Sequence, residues 1–317
     1  MNTQDKIAVC SRSFSNNSVL CEELQSRYQH VTLNTSGKSL VGDELISFLR
    51  GHNGAIIALE VIDSEILDKL PELEFIGKYG VGLDKLDFDA MEAHDVKLGW
   101  TPGVNARNVA ELTLGLAINL VKFVPESVRM ATEYNWKQVI GNELSSMTYG
   151  ILGCGHVGKA LVQLLKGFGA NIIINDILEM NDFCQQNNIE QVSFDDLFKQ
   201  SDIVSIHVPR NHTTENIVDG DVINSMKDGA FLINTARGGI VDESAVLDAL
   251  NSGKLSGIAF DVLKEEPPTN NPLIGHPQAI ITTHIAGSSK EAILAMGRAA
   301  IDGLSNYYPA NTFSQFK

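Results

Sequence analysis

Apolar and polar positions along the chain alternate between two periods. Short continuous apolar runs at Ile7–Cys10, Ala55–Leu59 and Phe75–Tyr79 read as strands, with His30–Leu33 alternating as a fourth. Between them, Val19–Tyr28, Asp43–Arg50 and Asp63–Leu70 carry helical spacing; an acidic cap candidate opens the second and Pro71 ends the third. Helical spacing then holds from Asn105 to about Val124, long enough to bridge two domains. Pro125–Met147 is less regular and holds Trp136. The alternation restarts with strands at Tyr149–Leu152, Asn171–Asn175, Ile203–Val208, Ala230–Asn234, Leu255–Phe260 and Ile280–Thr283. Helices fall at His156–Phe168, Phe194–Lys199, Glu243–Asn251 and Ser288–Leu304. Repeated strand–helix units predict an α/β protein with two doubly wound parallel sheets.

Composition narrows the partners. The 317 residues allow one large domain or two ordinary ones. A net charge of −15 argues against nucleic acid, whose phosphates need a basic surface. Four scattered cysteines with no CxxC pair read as reduced thiols rather than disulfides or a zinc site, and no metal is expected. Met1–Lys6 is polar, and the apolar run after it is too short for a signal-peptide core. The longest apolar stretch, Leu112–Val124, is interrupted by Asn119 and Lys122 and is too short to span a bilayer. A soluble, cytoplasmic protein without a membrane partner is expected.

Gly153-Cys154-Gly155-His156-Val157-Gly158 has the form G-x-G-x-x-G. Alone the pattern is weak, but here it follows a predicted strand and opens a predicted helix. Gly153 permits a tight turn, Gly155 a close backbone approach to a pyrophosphate, and Gly158 close helix–strand packing. Asp176 ends the next strand, where a carboxylate binds the adenosine ribose diol. Ile177 and Leu178 follow, with no nearby cation for a 2′-phosphate, which favours NAD over NADP.

Three further stretches each follow a predicted strand, so all can face one crevice: Asn234-Thr235-Ala236-Arg237-Gly238-Gly239 leading into Val241-Asp242-Glu243, Asp261 through Glu265-Glu266-Pro267-Pro268, and Thr283-His284-Ile285-Ala286-Gly287. With the fingerprint, their order and spacing resemble the D-isomer-specific 2-hydroxyacid dehydrogenases, the family that includes D-3-phosphoglycerate dehydrogenase. The resemblance covers nearly the whole chain. Gly80-Val81-Gly82-Leu83-Asp84, Thr101-Pro102-Gly103-Val104-Asn105 and Val109-Ala110-Glu111 are also similar to that family.

The resemblance implies roles. His284 is the general acid–base, with a ring that titrates near neutrality when unperturbed. Glu266 orients it, Glu265 being the nearest mistaken choice. Arg237 holds the substrate carboxylate. His156, Val157, Pro209, Thr214, Ala236, Asp261 and, from the first domain across a cleft, Val81 line the cofactor, with Asp261 able to hold the nicotinamide amide. His207 is expected to pack or to join the cofactor shell. Val81, Gly82 and Asn105 would grip the substrate, and Lys78, or Arg107, could receive a phosphate. The implied architecture is a Rossmann NAD-binding domain (99–285) inserted in a flavodoxin-like substrate domain (1–98 and 286–317), assembled as a homodimer around the cofactor domain and Pro125–Asn142. The favoured substrate pair is D-3-phosphoglycerate and 3-phosphohydroxypyruvate, as in serine biosynthesis. The alternatives are a glyoxylate, hydroxypyruvate or other 2-ketoacid reductase and, in another class, an NAD(H)-sensing interaction protein. Formate dehydrogenase relatives are disfavoured because that branch pairs glutamine with the histidine. Few residues follow the closing helix, so no C-terminal regulatory domain is expected.

Overall fold

The computed structural model describes residues 4–316. In chain order the strands are β1 (Lys6–Val9), β2 (His30–Leu33), β3 (Gly54–Ile57), β4 (Phe75–Lys78), β5 (Lys97–Gly99), β6 (Thr148–Leu152), β7 (Asn171–Asn175), β8 (Glu190–Gln191), β9 (Ile203–Ile206), β10 (Ala230–Asn234), β11 (Leu255–Phe260), β12 (Ala279–Ile281) and β13 (Tyr308–Pro309). The chain divides into two compact units, Met1–Asn105 with Ser289–Lys317, and Ala106–Ser288.

The first unit holds a six-stranded sheet ordered β13-β5-β4-β3-β1-β2. Its parallel strands follow the flavodoxin-like order, with the reversal between β1 and β3. Strands β3 and β4 are buried along their whole length, which is why they read as unbroken apolar runs. Apolar side chains cover both faces, one layer around Leu45, Ile57 and Met91, the other around Phe14, Leu24 and Ile301. The closing helix Lys290–Gly303 lies on this second face. Gly77 and Gly99 let it come close, since a Cβ at either would strike the backbone of Ala300 or Gly303.

The second unit holds a seven-stranded sheet, entirely parallel, ordered β12-β11-β10-β9-β6-β7-β8. This is the doubly wound dinucleotide-binding order, reversing between β6 and β9. Ligands of such sheets bind at the carboxyl ends beside that reversal. The helices Ala106–Val121 and His156–Lys166 cover one face through Leu114, Leu120, Leu161 and Leu165. A fully buried leucine such as Leu161 or Leu165 contributes about 1.5–3 kcal/mol.

Some local expectations are corrected. The helix expected from Asn105 to Val124 stops at Val121. Phe123 takes a left-handed backbone (φ 51°), Pro125 sits in the first turn of a second helix, Val124–Thr132, and the two helices meet at 62°. Asp43 lies in the first turn of Gly42–Leu49 rather than capping it; the cap is Val41, which makes no side-chain bond. The helix after Asp63 is one turn, Ser64–Leu67, with Asp63 as its cap. β13 adds an antiparallel edge to the first sheet. No single helix among the described residues is long and apolar enough to cross a membrane.

Candidate active site

The fingerprint turn joins β6 to the helix His156–Lys166. Gly153 has φ +90°, and a Cβ there would lie 2.9 Å from the carbonyl of His207. Gly158 packs against the Gly153 carbonyl with no room for a side chain, whereas nothing within 4 Å would meet a Cβ at Gly155. The turn is thus closed toward the sheet and open at its middle glycine. The helix cap is Gly155, which offers no side-chain acceptor to the first N–H groups. Those donors and the helix dipole form an anion site of the kind a pyrophosphate occupies. Asp176, just past β7, accepts from the Cys154 N–H (2.7 Å) and the Leu178 N–H (3.0 Å). It holds the turn in place at the position suited to a ribose diol. Beyond it Ile177 is fully exposed and Leu178 largely so. These residues fit a dinucleotide.

Cys154, inside the turn, is buried, and burial with the charge of Asp176 pushes its thiol up to about 12. All four cysteines are free and buried. None is presented as a thiolate nucleophile.

The loops after β10, β11 and β12 carry Arg237, Glu266 and His284. After β10, Asn234 is buried and bridges the turn: its Nδ2 donates to the Arg237 carbonyl (2.9 Å) and its Oδ1 accepts from the Ala236 N–H (3.0 Å). Thr235 pairs with Thr113 on the adjoining helix (2.8 Å between hydroxyls). Arg237 is thereby carried out at the strand end, half-buried, and its Nη1 donates to the Ala236 carbonyl (2.7 Å). Gly238 packs so tightly on the Leu263 carbonyl that no side chain fits there.

After β11, Glu266 accepts from the Leu263 N–H through Oε1 (2.9 Å). Its Oε2 lies 2.7 Å from His284 Nδ1. Glu265 instead accepts from the Thr269 hydroxyl (3.2 Å), so Glu266 is the carboxylate that meets the histidine. The His284 side chain keeps 50% of its exposure. With Nδ1 engaged, Nε2 is the nitrogen able to exchange a proton. The residue is in the left-handed region (φ 57°), costly for a side chain with a Cβ.

Asp261 is 1% exposed, and its oxygens accept from Thr282 Oγ1 and from the Ile285 and Ala286 N–H groups. Thr282 carries no signal in the sequence, because its partner lies 21 residues away. Thr214 donates to the Pro209 carbonyl (2.7 Å), closing the turn after β9. His207, at the end of β9, bonds Ser205 Oγ through Nε2 (2.9 Å), while its enclosed Nδ1 has no partner. Burial holds the ring neutral, its pKa lowered to about 3.

In the first unit, Lys78 ends β4 and is 4% exposed. Its ammonium donates to the carbonyls of Ala58 (2.7 Å) and Tyr79 (3.2 Å), an inward posture unlike that of a phosphate receptor. Val81 and Gly82 follow in a half-exposed turn, and Asn105 is buried. Arg107, in the second unit, is exposed and paired with Glu111 on its own helix (2.6 Å).

Strand order, fingerprint turn and the histidine–carboxylate pair define a dinucleotide-binding protein of the doubly wound class. Residues 114–286 match the model "D-isomer specific 2-hydroxyacid dehydrogenase, NAD binding domain". The chain belongs to the D-isomer-specific 2-hydroxyacid dehydrogenases, and its cofactor is NAD. It is 32% identical over 268 residues to the D-3-phosphoglycerate dehydrogenase of Archaeoglobus fulgidus, covering 83% of this chain and 51% of that one. The chain therefore spans about half the length of that relative. Among solved structures it superposes on a protein of Polaromonas sp. JS6 66, described as a D-isomer-specific 2-hydroxyacid dehydrogenase, with TM-score 0.87, 27% identity and 95% of each chain covered. A D-2-hydroxyisocaproate dehydrogenase follows with TM-score 0.85, 26% identity, and 95% of this chain and 96% of that chain covered.

Proposed function

We propose that the chain is an NAD-dependent oxidoreductase interconverting D-2-hydroxyacids and 2-ketoacids. The observation that carries this reading is the His284–Glu266 pair at a strand-end loop of the unit that holds the fingerprint turn. When bound, the nicotinamide supplies or takes the hydride. His284 Nε2 gives a proton to the ketone oxygen in reduction and takes it from the hydroxyl in oxidation, while Glu266 fixes the ring. Arg237 holds the substrate carboxylate through a planar, charge-assisted contact. Val81, Gly82 and Asn105 are the first unit's proposed contributors to substrate binding, and Val81 also to cofactor binding. His156, Val157, Pro209, Thr214 and Ala236 are proposed cofactor contacts.

The name of the Archaeoglobus relative supports 3-phosphoglycerate and 3-phosphohydroxypyruvate as the favoured substrate pair, and serine biosynthesis in the cytoplasm is part of the same proposal. The inward Lys78 ammonium favours a second one, an unphosphorylated acid such as glycerate. A homodimer is part of the proposal. Tyr134, Trp136 and Ile140 are each at least 90% exposed on the segment after Val124–Thr132, and apolar side chains so placed need a cover.

The test is NADH oxidation by the purified protein with phosphohydroxypyruvate and hydroxypyruvate in parallel. A large preference for the phosphorylated acid supports the first substrate reading, and preference for hydroxypyruvate the second. NADH binding without turnover on any 2-ketoacid overturns the enzyme and leaves the sensor.

A further inference from the structure

We propose that Asp261 is a positioning residue, the buried anchor that holds the His284 loop in its reactive geometry. This rests on the reading of His284 as the proton donor and acceptor. Asp261 directly follows β11. Its Oδ1 accepts from the Thr282 hydroxyl (2.6 Å) and the Ile285 N–H (2.8 Å), and its Oδ2 from the Ala286 N–H (2.8 Å). Its own carbonyl accepts the His284 N–H (2.9 Å). Four donors from a five-residue stretch thus end on one residue that is 1% exposed.

The need for such an anchor follows from the backbone. His284 is held at φ 57°, a region that side chains with a Cβ leave unless the surroundings over-determine it. A carboxylate gripping the next two N–H groups supplies that constraint with charge-assisted bonds. In this posture Nδ1 lies 2.7 Å from Glu266 Oε2.

The test compares Asp261→Asn and Thr282→Val with the parent protein by three readouts. These are NADH affinity, the steady-state kinetics (kcat and KM) with hydroxypyruvate or phosphohydroxypyruvate, and the downfield proton resonance of the His284 Nδ1–H bond, identified by its loss in Glu266→Gln. An asparagine amide nitrogen cannot accept, so at least one of the two backbone N–H groups loses its partner. For Asp261→Asn, kcat is expected to fall by about tenfold to a hundredfold, as a misplaced catalytic group does. KM and the NADH dissociation constant should stay within about threefold, and the resonance should vanish. Thr282→Val should move kcat and the resonance the same way, but less. A tenfold loss of NADH affinity with the resonance intact would make Asp261 a cofactor contact and overturn the proposal, as would no change in any readout. Should Asp261→Asn fail to fold, Thr282→Val decides: unchanged resonance and kcat contradict the anchor. Should the parent protein turn over no 2-ketoacid, the functional reading fails, while the resonance and NADH affinity still decide the anchor.

Discussion

The strand ends of the two sheets use buried charge in opposite ways. In the first unit, Lys78 and Glu60 are each 4% exposed and meet at one residue: Lys78 Nζ donates to the Ala58 carbonyl and Glu60 Oε2 accepts the Ala58 N–H (2.7 Å). Glu60 also helps burial push the Cys10 thiol up. These charges shape a loop and face inward. In the second unit, Asp261 is as deeply buried, yet its bonds converge on a loop whose histidine is half exposed. Buried charge there holds a half-exposed histidine in the left-handed region, at φ 57°. A charged residue at a strand end is therefore functional or structural according to where its partners lie, which residue type alone does not tell.

Apart from removal of His284 itself, the largest effect should come from Arg237→Gln. Loss of a charged, planar carboxylate partner should lower kcat/KM with either ketoacid by about a hundredfold or more, at roughly 1.4 kcal/mol per tenfold. NADH affinity should barely change. Steady-state kinetics beside fluorescence titration check this, and an equal loss of NADH affinity would place Arg237 in the cofactor site.

Next is His207. Its folded pKa, lowered to about 3 by burial, lies below the roughly 6.5 of a histidine in the unfolded chain. Between those values the unfolded chain binds the extra proton, so this contribution is complete above about pH 6.5 and is lost as pH falls toward 3. The loss reaches a few kcal/mol, at about 1.4 kcal/mol per unit. Urea midpoints measured from neutral pH down into the acid range should fall more steeply for the parent than for His207→Gln. Parallel slopes would show that the ring is not held neutral.

The smallest effect should be that of Lys78→Met on substrate choice. Two carbonyls lose a donor and Glu60 stays buried, so stability should drop by about 1–3 kcal/mol in urea unfolding. The ratio of kcat/KM for phosphohydroxypyruvate over hydroxypyruvate should move less than about threefold, because the ammonium faces carbonyls. A selective hundredfold loss for the phosphorylated acid would mean that Lys78 reaches the phosphate, and would erase the contrast between the two sheets.

Much of the architecture is legible in the sequence, for physical reasons. Strands β7, β10 and β11 have the bounds read from apolar runs, because buried parallel strands leave such runs, and β2, at an exposed sheet edge, has the bounds read from its alternation. The short helices Phe88–Ala93 and Gly220–Ser225 escape that reading, although Asp87 and Asp219 cap them through their side chains. Six residues are too few for periodicity, and only the caps mark them. The bend after Val121 has its signal in Pro125; the left-handed Phe123 has none. In the site, a glutamate directly before proline points to Glu266, and the structure places it on His284. The bonds of Asp261 to Thr282, Ile285 and Ala286 span more than 20 residues and are made only by the fold. The inward turn of Lys78 is equally a product of packing.

The most direct measurement is His284→Ala, assayed for NADH binding and for 2-ketoacid reduction on the same preparation. If His284 Nε2 carries the proton, turnover should fall by about 10²- to 10⁴-fold while the NADH dissociation constant stays near that of the parent. Turnover that survives the substitution would contradict the account, because the proton would then have to come from elsewhere.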